Sequence, residues 1–146
     1  MSPAARLIHR ASAVSIKGRA VLIEGPPGSG KSSLVLALID RGAALIGDDA
    51  VALEAADGAV YASPPPNIAG LLEVRGVGLI EFPVETQIAV ALVVRLDPAA
   101  PRFIDAAPQI ALAGTLLPLI RLRPDSAVLA LSTEAALVRW GLPKRD

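Results

Sequence analysis

The sequence contains no cysteine, a single histidine and few aromatic residues. Without thiols, the chain can form no disulfide, no thiolate metal cluster and no cysteine nucleophile. His9 alone cannot build a histidine-rich metal site, so any bound metal ion must have oxygen ligands. Aromatic residues make up only 3% of the chain, which leaves no platform on which nucleic-acid bases could stack.

The chain also lacks an excess of charge of either sign, because 14 Lys and Arg residues balance 14 Asp and Glu residues. We therefore expect no general attraction to nucleic acid or to an anionic membrane. The mean hydropathy is high, +0.54. However, the apolar stretches at 88–94 and 110–120 are much shorter than the roughly 20 residues of a membrane-spanning helix. The N-terminus does not resemble a signal peptide, so a cytoplasmic location is predicted.

The length of 146 residues fits one domain, which we expect to cover residues 1–146. Glycine, proline and aspartate divide it into short elements. Helices are predicted over 31–41, ending at Gly42, and from Ser126 or Ser132 to Trp140. The predicted strands cover 11–16, 20–24, 43–46, 51–54, 59–62, 71–82 with interruptions at Gly76 and Gly78, 87–96, 109–113 and 117–122. This pattern indicates an α/β domain with a core of Val, Ile, Leu and Ala.

A glycine-rich segment between the strand 20–24 and the helix 31–41 matches the P-loop pattern G-x-x-x-x-G-K-[ST] at every fixed position. Its glycines let successive backbone N–H groups converge on phosphate oxygens, and the helix N-terminus adds a positive dipole end. Lys31 is expected to reach the terminal phosphates, and the Ser32 hydroxyl is expected to bind Mg²⁺. The segment consists of Gly25, Pro26, Pro27, Gly28, Ser29, Gly30, Lys31 and Ser32.

Two carboxylates, Asp48 and Asp49, follow the predicted strand 43–46. At the end of that strand they can face the phosphates across the top of the sheet. One can then bind Mg²⁺ or its waters, and the other can accept a proton from an attacking hydroxyl. The alternative is a solvated turn without a function.

Three more charged or titratable residues are candidates. Strand alternation puts Glu73 and Arg75 on one face. They form either a structural ion pair or a metal-binding carboxylate beside a phosphate-binding guanidinium. His9 precedes a hairpin whose second strand leads into the P-loop. It therefore either approaches the same site or is an ordinary surface histidine.

In this order and spacing, these residues resemble the catalytic domain of the bacterial HPr kinase/phosphorylase family, whose members phosphorylate a serine of the phosphocarrier protein HPr. The similarity spans most of 7–96, and the string LLEVRGVGLI at 71–80 looks like the family's signature segment. The resemblance implies a P-loop fold with a mixed sheet and flanking helices, similar also to the nucleotide-binding part of phosphoenolpyruvate carboxykinase. It further implies ATP and Mg²⁺ as cofactors, an HPr-type phosphocarrier as partner and a role in regulating the phosphotransferase system.

The same resemblance implies a role for each candidate residue. Asp48 would accept the proton of the HPr serine, while Asp49 and His9 would orient or tune it. Lys31 would hold the β and γ phosphates, and Ser32 with Glu73 would hold Mg²⁺. Arg75 would steady the phosphate charge or the Glu73 carboxylate.

The chain also departs from the family pattern. It lacks the additional N-terminal domain of full-length members and so resembles a shortened form associated with alphaproteobacteria. Only residues 81–86 stand where those members have a longer mobile loop that serves phosphorolysis, so we expect kinase rather than phosphorylase activity. A homo-oligomer, hexameric in the family, is implied. Two alternatives stay open, namely a non-catalytic nucleotide-binding regulator and a kinase for a small metabolite.

Overall fold

The computed structural model describes residues 6–145 of the chain. Within them the backbone forms eleven strands and two helices. Their bounds are β1 (Arg6–His9), β2 (Ser12–Ile16), β3 (Arg19–Glu24), α1 (Lys31–Asp40), β4 (Ala44–Gly47), β5 (Val51–Ala56), β6 (Ala59–Ser63), β7 (Leu71–Val74), β8 (Gly78–Glu81), β9 (Ile88–Leu96), β10 (Gln109–Leu112), β11 (Thr115–Leu122) and α2 (Leu129–Trp140).

The main sheet is mixed, with β9 as its central strand. Its strands follow one another in the order β1, β5, β6, β9, β3, β2 and β4. β9 pairs parallel with β3 and with β11, and its first residues pair antiparallel with β6. β10 extends the sheet as the antiparallel neighbour of β11. The predicted α/β fold with a mixed sheet is therefore confirmed.

The middle strands β2, β3 and β9 are buried on both faces. On one face, Val21 and Ile23 belong to an apolar cluster that also contains residues of α1 and α2, such as Leu34 and Leu137. On the other face, Leu22 belongs to a second cluster with residues of β5 and β6. Strands covered on both faces need apolar side chains in both directions, which explains their near-continuous apolar sequence.

Helix α1 matches its prediction to within one residue. Leu34, Val35 and Leu38 form its buried stripe. It ends at Asp40, and Gly42, two residues later, has a φ of 108°, in the left-handed region that favours glycine. The Gly42 and Ala43 amides donate to the carbonyls of Ile39 and Leu38, an arrangement that satisfies the last carbonyls of a helix.

Two elements differ from the sequence-based expectation. The interrupted strand predicted over 71–82 is a hairpin of β7 and β8, which forms a two-stranded sheet apart from the main one. The strand β1 was not predicted, because its residues are largely exposed and show no apolar alternation. It pairs with β5 and places His9 opposite Val51. In the described part of the chain, no helix is both long and apolar enough to cross a membrane.

Candidate active site

The glycine-rich loop joins β3 to α1 and takes a backbone shape that side chains would oppose. Gly28 and Gly30 have φ values of 79° and 102°, in the left-handed region. Gly25 is required for a different reason. A Cβ atom at this position would lie 2.5 Å from Ser29 Oγ and 3.3 Å from Leu96 Cβ. The two fixed glycines of the motif, Gly25 and Gly30, therefore meet local geometric demands in this chain, and so does Gly28 at a variable position.

The loop carries several hydrogen-bond donors, of which the amides at the start of α1 are open to an anion. Among the described residues, none caps the N-terminus of α1 with its side chain, so the amides of the first turn are open to a ligand. Ser29 Oγ is buried and finds no hydrogen-bond partner in residues 6–145. The Lys31 ammonium bends back across the loop, donating to the carbonyl oxygens of Gly25 at 2.8 Å and Pro26 at 3.2 Å. These donors suit phosphate oxygens.

Asp48 lies beside the last residue of the P-loop motif. Its Oδ1 atom accepts hydrogen bonds from Ser32 Oγ at 2.8 Å and from Ser12 Oγ at 3.0 Å. The same Ser12 hydroxyl accepts a hydrogen bond from the Asp49 amide at 3.1 Å. A hydroxyl and a carboxylate held together at the edge of a phosphate loop form a donor set that suits Mg²⁺. The residues present thus fit a magnesium ion.

Asp49 points elsewhere, although it is the next residue in the chain. Its φ of 63° is left-handed, a conformation that aspartate tolerates better than most residues. Asp49 is exposed and lines the cavity around the P-loop, while Asp48 does not appear among the described residues that line it. The turn after β4 therefore separates the two carboxylates, with Asp48 bonded to serines and Asp49 facing open space.

The cavity over the P-loop has a volume of about 590 Å³. Three segments outside the loop reach it, namely the β1–β2 connection, the turn after β4 and the β7–β8 hairpin. The residues that line it are Arg10, Gly25, Pro27, Gly28, Gly30, Lys31, Ser32, Ser33, Asp49, Glu73 and Arg75. Basic groups, P-loop residues and two carboxylates thus surround one open space.

Glu73 and Arg75 share this cavity without forming the ion pair that was one alternative. Among the ion pairs of the described residues, none joins these two side chains. The physical reason is that β7 ends at Val74, so Arg75 belongs to the turn and strand alternation no longer applies to it. Both side chains are exposed.

His9 lies beside the P-loop strand rather than beside Asp48. Its Nε2 atom is 2.8 Å from Glu24 Oε2. The Glu24 Oε1 atom accepts hydrogen bonds from Arg95 Nη2 at 2.8 Å and Nε at 3.2 Å. In the described residues no hydrogen bond joins His9 to Asp48, and the expectation that His9 orients or tunes Asp48 stays a prediction.

The surroundings of Glu24 lower the pKa of its carboxyl group. The hydrogen bond with His9 is the largest influence and lowers the pKa of Glu24 below its ordinary value. Burial opposes that change, while the hydrogen bond and charge of Arg95 add to it. His9, Glu24 and Arg95 border a second cavity of about 650 Å³, which shares Arg10 and Gly25 with the cavity over the P-loop.

Sequence reasoning missed four residues of this region: Ser12, Arg10, Glu24 and Arg95. Glu24 had a visible signal, because it is a charged residue at the end of an apolar strand that leads into a P-loop. Ser12 and Arg95 had none, since their contacts depend on which strands are neighbours in the sheet.

Comparisons with known proteins agree with this geometry. A family model described as the HPr Serine kinase C-terminal domain matches residues 3–98. The chain belongs to this family. The HPr kinase/phosphorylase of Clostridium botulinum (strain Eklund 17B / Type B) is 47% identical over 68 residues, which are 47% of this chain and 22% of that protein. The HPr kinase/phosphorylase of Clostridium tetani is 44% identical over 70 residues, 48% of this chain and 23% of that protein.

A solved structure extends the similarity beyond the matched family segment. The Hpr(Ser) kinase/phosphatase from Coxiella burnetii is 30% identical, with a TM-score of 0.80 over 91% of this chain and 88% of that chain. By contrast, the match spans less than a quarter of the length of the curated HPr kinase/phosphorylases above. The common fold therefore includes most of the C-terminal third, where sequence resemblance fades.

Proposed function

We propose that this chain is an ATP- and Mg²⁺-dependent protein-serine kinase whose acceptor is HPr or a related phosphocarrier. In this proposal residues 1–146 act as one catalytic domain. The main supporting observation is that the two carboxylates after β4 lie in different surroundings. Asp48 is hydrogen bonded to Ser32, the metal-site serine of the P-loop, while Asp49 lines the phosphate cavity.

This difference in surroundings supports a change in the expected roles of the two residues. Asp48 already accepts two hydroxyl hydrogen bonds, one of them from Ser32. We assign it to Mg²⁺ or its bound waters, together with Ser32 and with Glu73 from the hairpin. Asp49 is exposed in the cavity, where an acceptor serine can reach it. We therefore assign the role of general base to Asp49 rather than to Asp48.

Phosphoryl transfer depends mainly on positioning and on stabilisation of charge. The serine oxygen bonds to the γ-phosphorus, its proton passes to the Asp49 carboxylate, and the bond to the β–γ bridging oxygen breaks to release ADP. Lys31 and the amides at the start of α1 hold the β and γ phosphates. Arg75 and Arg10 line the same cavity and can balance the phosphate charge. Mg²⁺, when bound, would offset charge between the β and γ phosphates.

The kinase direction is proposed to dominate over phosphorolysis. The connection between β8 and β9 is short, and it is attached to β4 by the Glu85 amide, which donates to the Leu45 carbonyl at 3.0 Å. Val84 also forms a parallel bridge with Leu45. A segment held in this way has little freedom to act as a mobile loop over the site.

The test is to incubate the protein with labelled ATP, Mg²⁺ and HPr-type carriers, each beside a carrier variant in which alanine replaces the candidate serine. Label is expected on the wild-type carrier alone. Asp49→Asn should reduce transfer by about 10²-fold or more while ATP still binds. Asp48→Asn should raise the Mg²⁺ concentration required for transfer. Asp57→Asn, in the exposed β5–β6 turn, is the matched control.

Each other outcome names a different function. ATP binding without label on any carrier would indicate a non-catalytic nucleotide-binding regulator. Consumption of ATP with a hydroxylated metabolite, but with no carrier, would indicate a small-metabolite kinase. Full transfer by Asp49→Asn, together with loss of transfer by Asp48→Asn, would return the role of base to Asp48.

A further inference from the structure

Glu24 connects the main sheet to the P-loop, because it is the last residue of β3 and directly precedes Gly25. Its carboxylate uses one oxygen for each neighbour. Oε2 lies 2.8 Å from His9 Nε2, and Oε1 accepts two hydrogen bonds from Arg95. Arg95 is its partner in the β3–β9 register. The carboxylate therefore joins β1 and β9 to the strand that leads into the phosphate loop.

The contact is partly shielded from water. The side chain of Glu24 is 13% exposed, that of His9 is 22% exposed and that of Arg95 is 40% exposed. A carboxylate this buried is costly unless both oxygens are paired, and here both are. The other charged groups that line the adjoining cavity are Arg10 and Asp97. A partly buried carboxylate with both oxygens paired holds its partners in one arrangement more firmly than a fully exposed ion pair does.

The segment that Glu24 holds also reaches the candidate active site. His9 is followed by a tight connection in which the Ala11 amide donates to the His9 carbonyl at 3.1 Å. Arg10 lines the phosphate cavity as well as the second cavity. Ser12 donates its hydroxyl hydrogen to Asp48. Two side-chain hydrogen bonds, Glu24–His9 and Ser12–Asp48, are thus joined through the four consecutive residues 9–12, which include Arg10.

We propose that Glu24 is a positioning residue for phosphoryl transfer, which anchors the His9–Ser12 segment against the P-loop strand and so sets the positions of Arg10 and Asp48. This inference rests on the proposed kinase function. Glu24 itself touches neither the nucleotide nor the acceptor. It holds His9 with its Nε2–H bond directed at the carboxylate, which leaves Nδ1 as the ring nitrogen free for other contacts.

The kinetic test compares Glu24→Gln and Glu24→Asp with Glu54→Gln, a control on β5 away from both cavities. The kcat for carrier phosphorylation is expected to fall by about 10–100-fold in Glu24→Gln, with the KM for ATP changed less than about twofold. Glu24→Asp should recover part of the loss, and Glu54→Gln should behave as wild type. Equal changes in kcat and KM, or no change, would overturn the proposal.

A double-mutant cycle tests whether Glu24 acts through His9. In a His9→Asn background, Glu24→Gln should cause little further loss of kcat, because the anchored contact is already gone. If the two losses multiply, Glu24 acts independently of His9 and the proposed route is wrong.

A spectroscopic test does not depend on kinase activity. Because the chain has a single histidine, ¹⁵N-labelled and tag-free protein gives one unambiguous set of imidazole signals. We expect a protected Nε2–H resonance in the wild type and its loss in Glu24→Ala, with Arg95→Ala retaining it. If the wild type phosphorylates carriers but lacks this resonance, the positioning proposal fails alone. If the resonance is present but no carrier is phosphorylated, the proposed function fails and the catalytic role of Glu24 fails with it.

Discussion

The two sides of the cavity over the P-loop are built in different ways. The P-loop, Asp48 and Asp49 extend from β3 and β4, whose central residues are buried in the main sheet. Glu73 and Arg75 come from the β7–β8 hairpin, which forms its own small sheet and whose β8 residues are all exposed. The first group is held by the core of the domain, and the second is held at its surface.

The two sides also differ in how many of their side chains are buried. The hairpin buries Leu72 completely, and this residue joins the apolar cluster of α1. The opposite face of the hairpin, with Leu79 beside Glu73 in the register, is open. Elements with few buried contacts open locally at lower free-energy cost than core strands. We therefore expect the P-loop side to be preformed and the hairpin side to adjust when ligands bind.

The largest expected effect tests the preformed side. Lys31→Ala removes the ammonium group that is held across the loop, and its loss should weaken binding of Mg²⁺–ATP by roughly 100-fold, as expected for charge-assisted hydrogen bonds to phosphate. Calorimetric titration measures this affinity. Lys144→Ala, near the C-terminus, is the matched control. An affinity within about twofold of wild type would mean that this loop does not hold the triphosphate.

A smaller effect tests the hairpin side. Glu73→Gln should raise the Mg²⁺ concentration required for half-maximal phosphoryl transfer by about tenfold, because one anionic ligand is lost while the site keeps Ser32 and Asp48. Glu81 lies on the same face of the same hairpin but is not among the described residues that line the cavity. Glu81→Gln should therefore have little effect. Equal effects of the two variants would show that the hairpin contributes only its general charge.

Two core-packing variants test whether the main sheet and the hairpin differ in their contribution to stability. Leu22→Ala in the main sheet should lower the free energy of unfolding by about 3 kcal/mol, measured by urea denaturation. Leu72→Ala should lower it less, and should instead raise amide hydrogen exchange within β7 and β8 while reducing transfer a few-fold. If Leu72→Ala destabilises the whole domain as much as Leu22→Ala, then the hairpin is part of the core and the contrast is wrong.

Local chemistry explains what could be predicted from sequence. The P-loop motif consists of eight consecutive residues between a strand and a helix, so its position, α1 and Gly42 were all predictable. The two aspartates were correctly expected at the end of β4, but their directions were not, because these depend on the left-handed φ of Asp49. Alternation placed Glu73 and Arg75 on one face, and both line the cavity over the P-loop, although β7 ends before Arg75.

Contacts between distant strands explain what could not be predicted. The cluster of His9, Glu24 and Arg95 requires that β3 pair with β9 and that β1 end beside them. No short-range pattern carries that information, since β1 is exposed and the sheet order departs from the chain order. The lone histidine was therefore singled out as a candidate while the carboxylate that binds it was missed.

The smallest expected effect concerns the pH dependence of stability on the P-loop side. Because the folded-state pKa of Glu24 lies below its ordinary value of 4.5, its ionisation stabilises the fold at pH values above 4.5. This contribution is lost as the pH falls through the lower folded-state pKa.

Glu24→Gln should therefore be less stable than wild type by about 1–2 kcal/mol at neutral pH, and the difference should shrink below pH 4.5. Urea denaturation at several pH values measures it. Arg95→Gln and His9→Asn should each remove part of the pH dependence, because both residues lower the pKa of Glu24. Parallel curves for wild type and Glu24→Gln would mean that this carboxylate does not hold the start of the phosphate loop, and the P-loop side would then be no more firmly built than the hairpin.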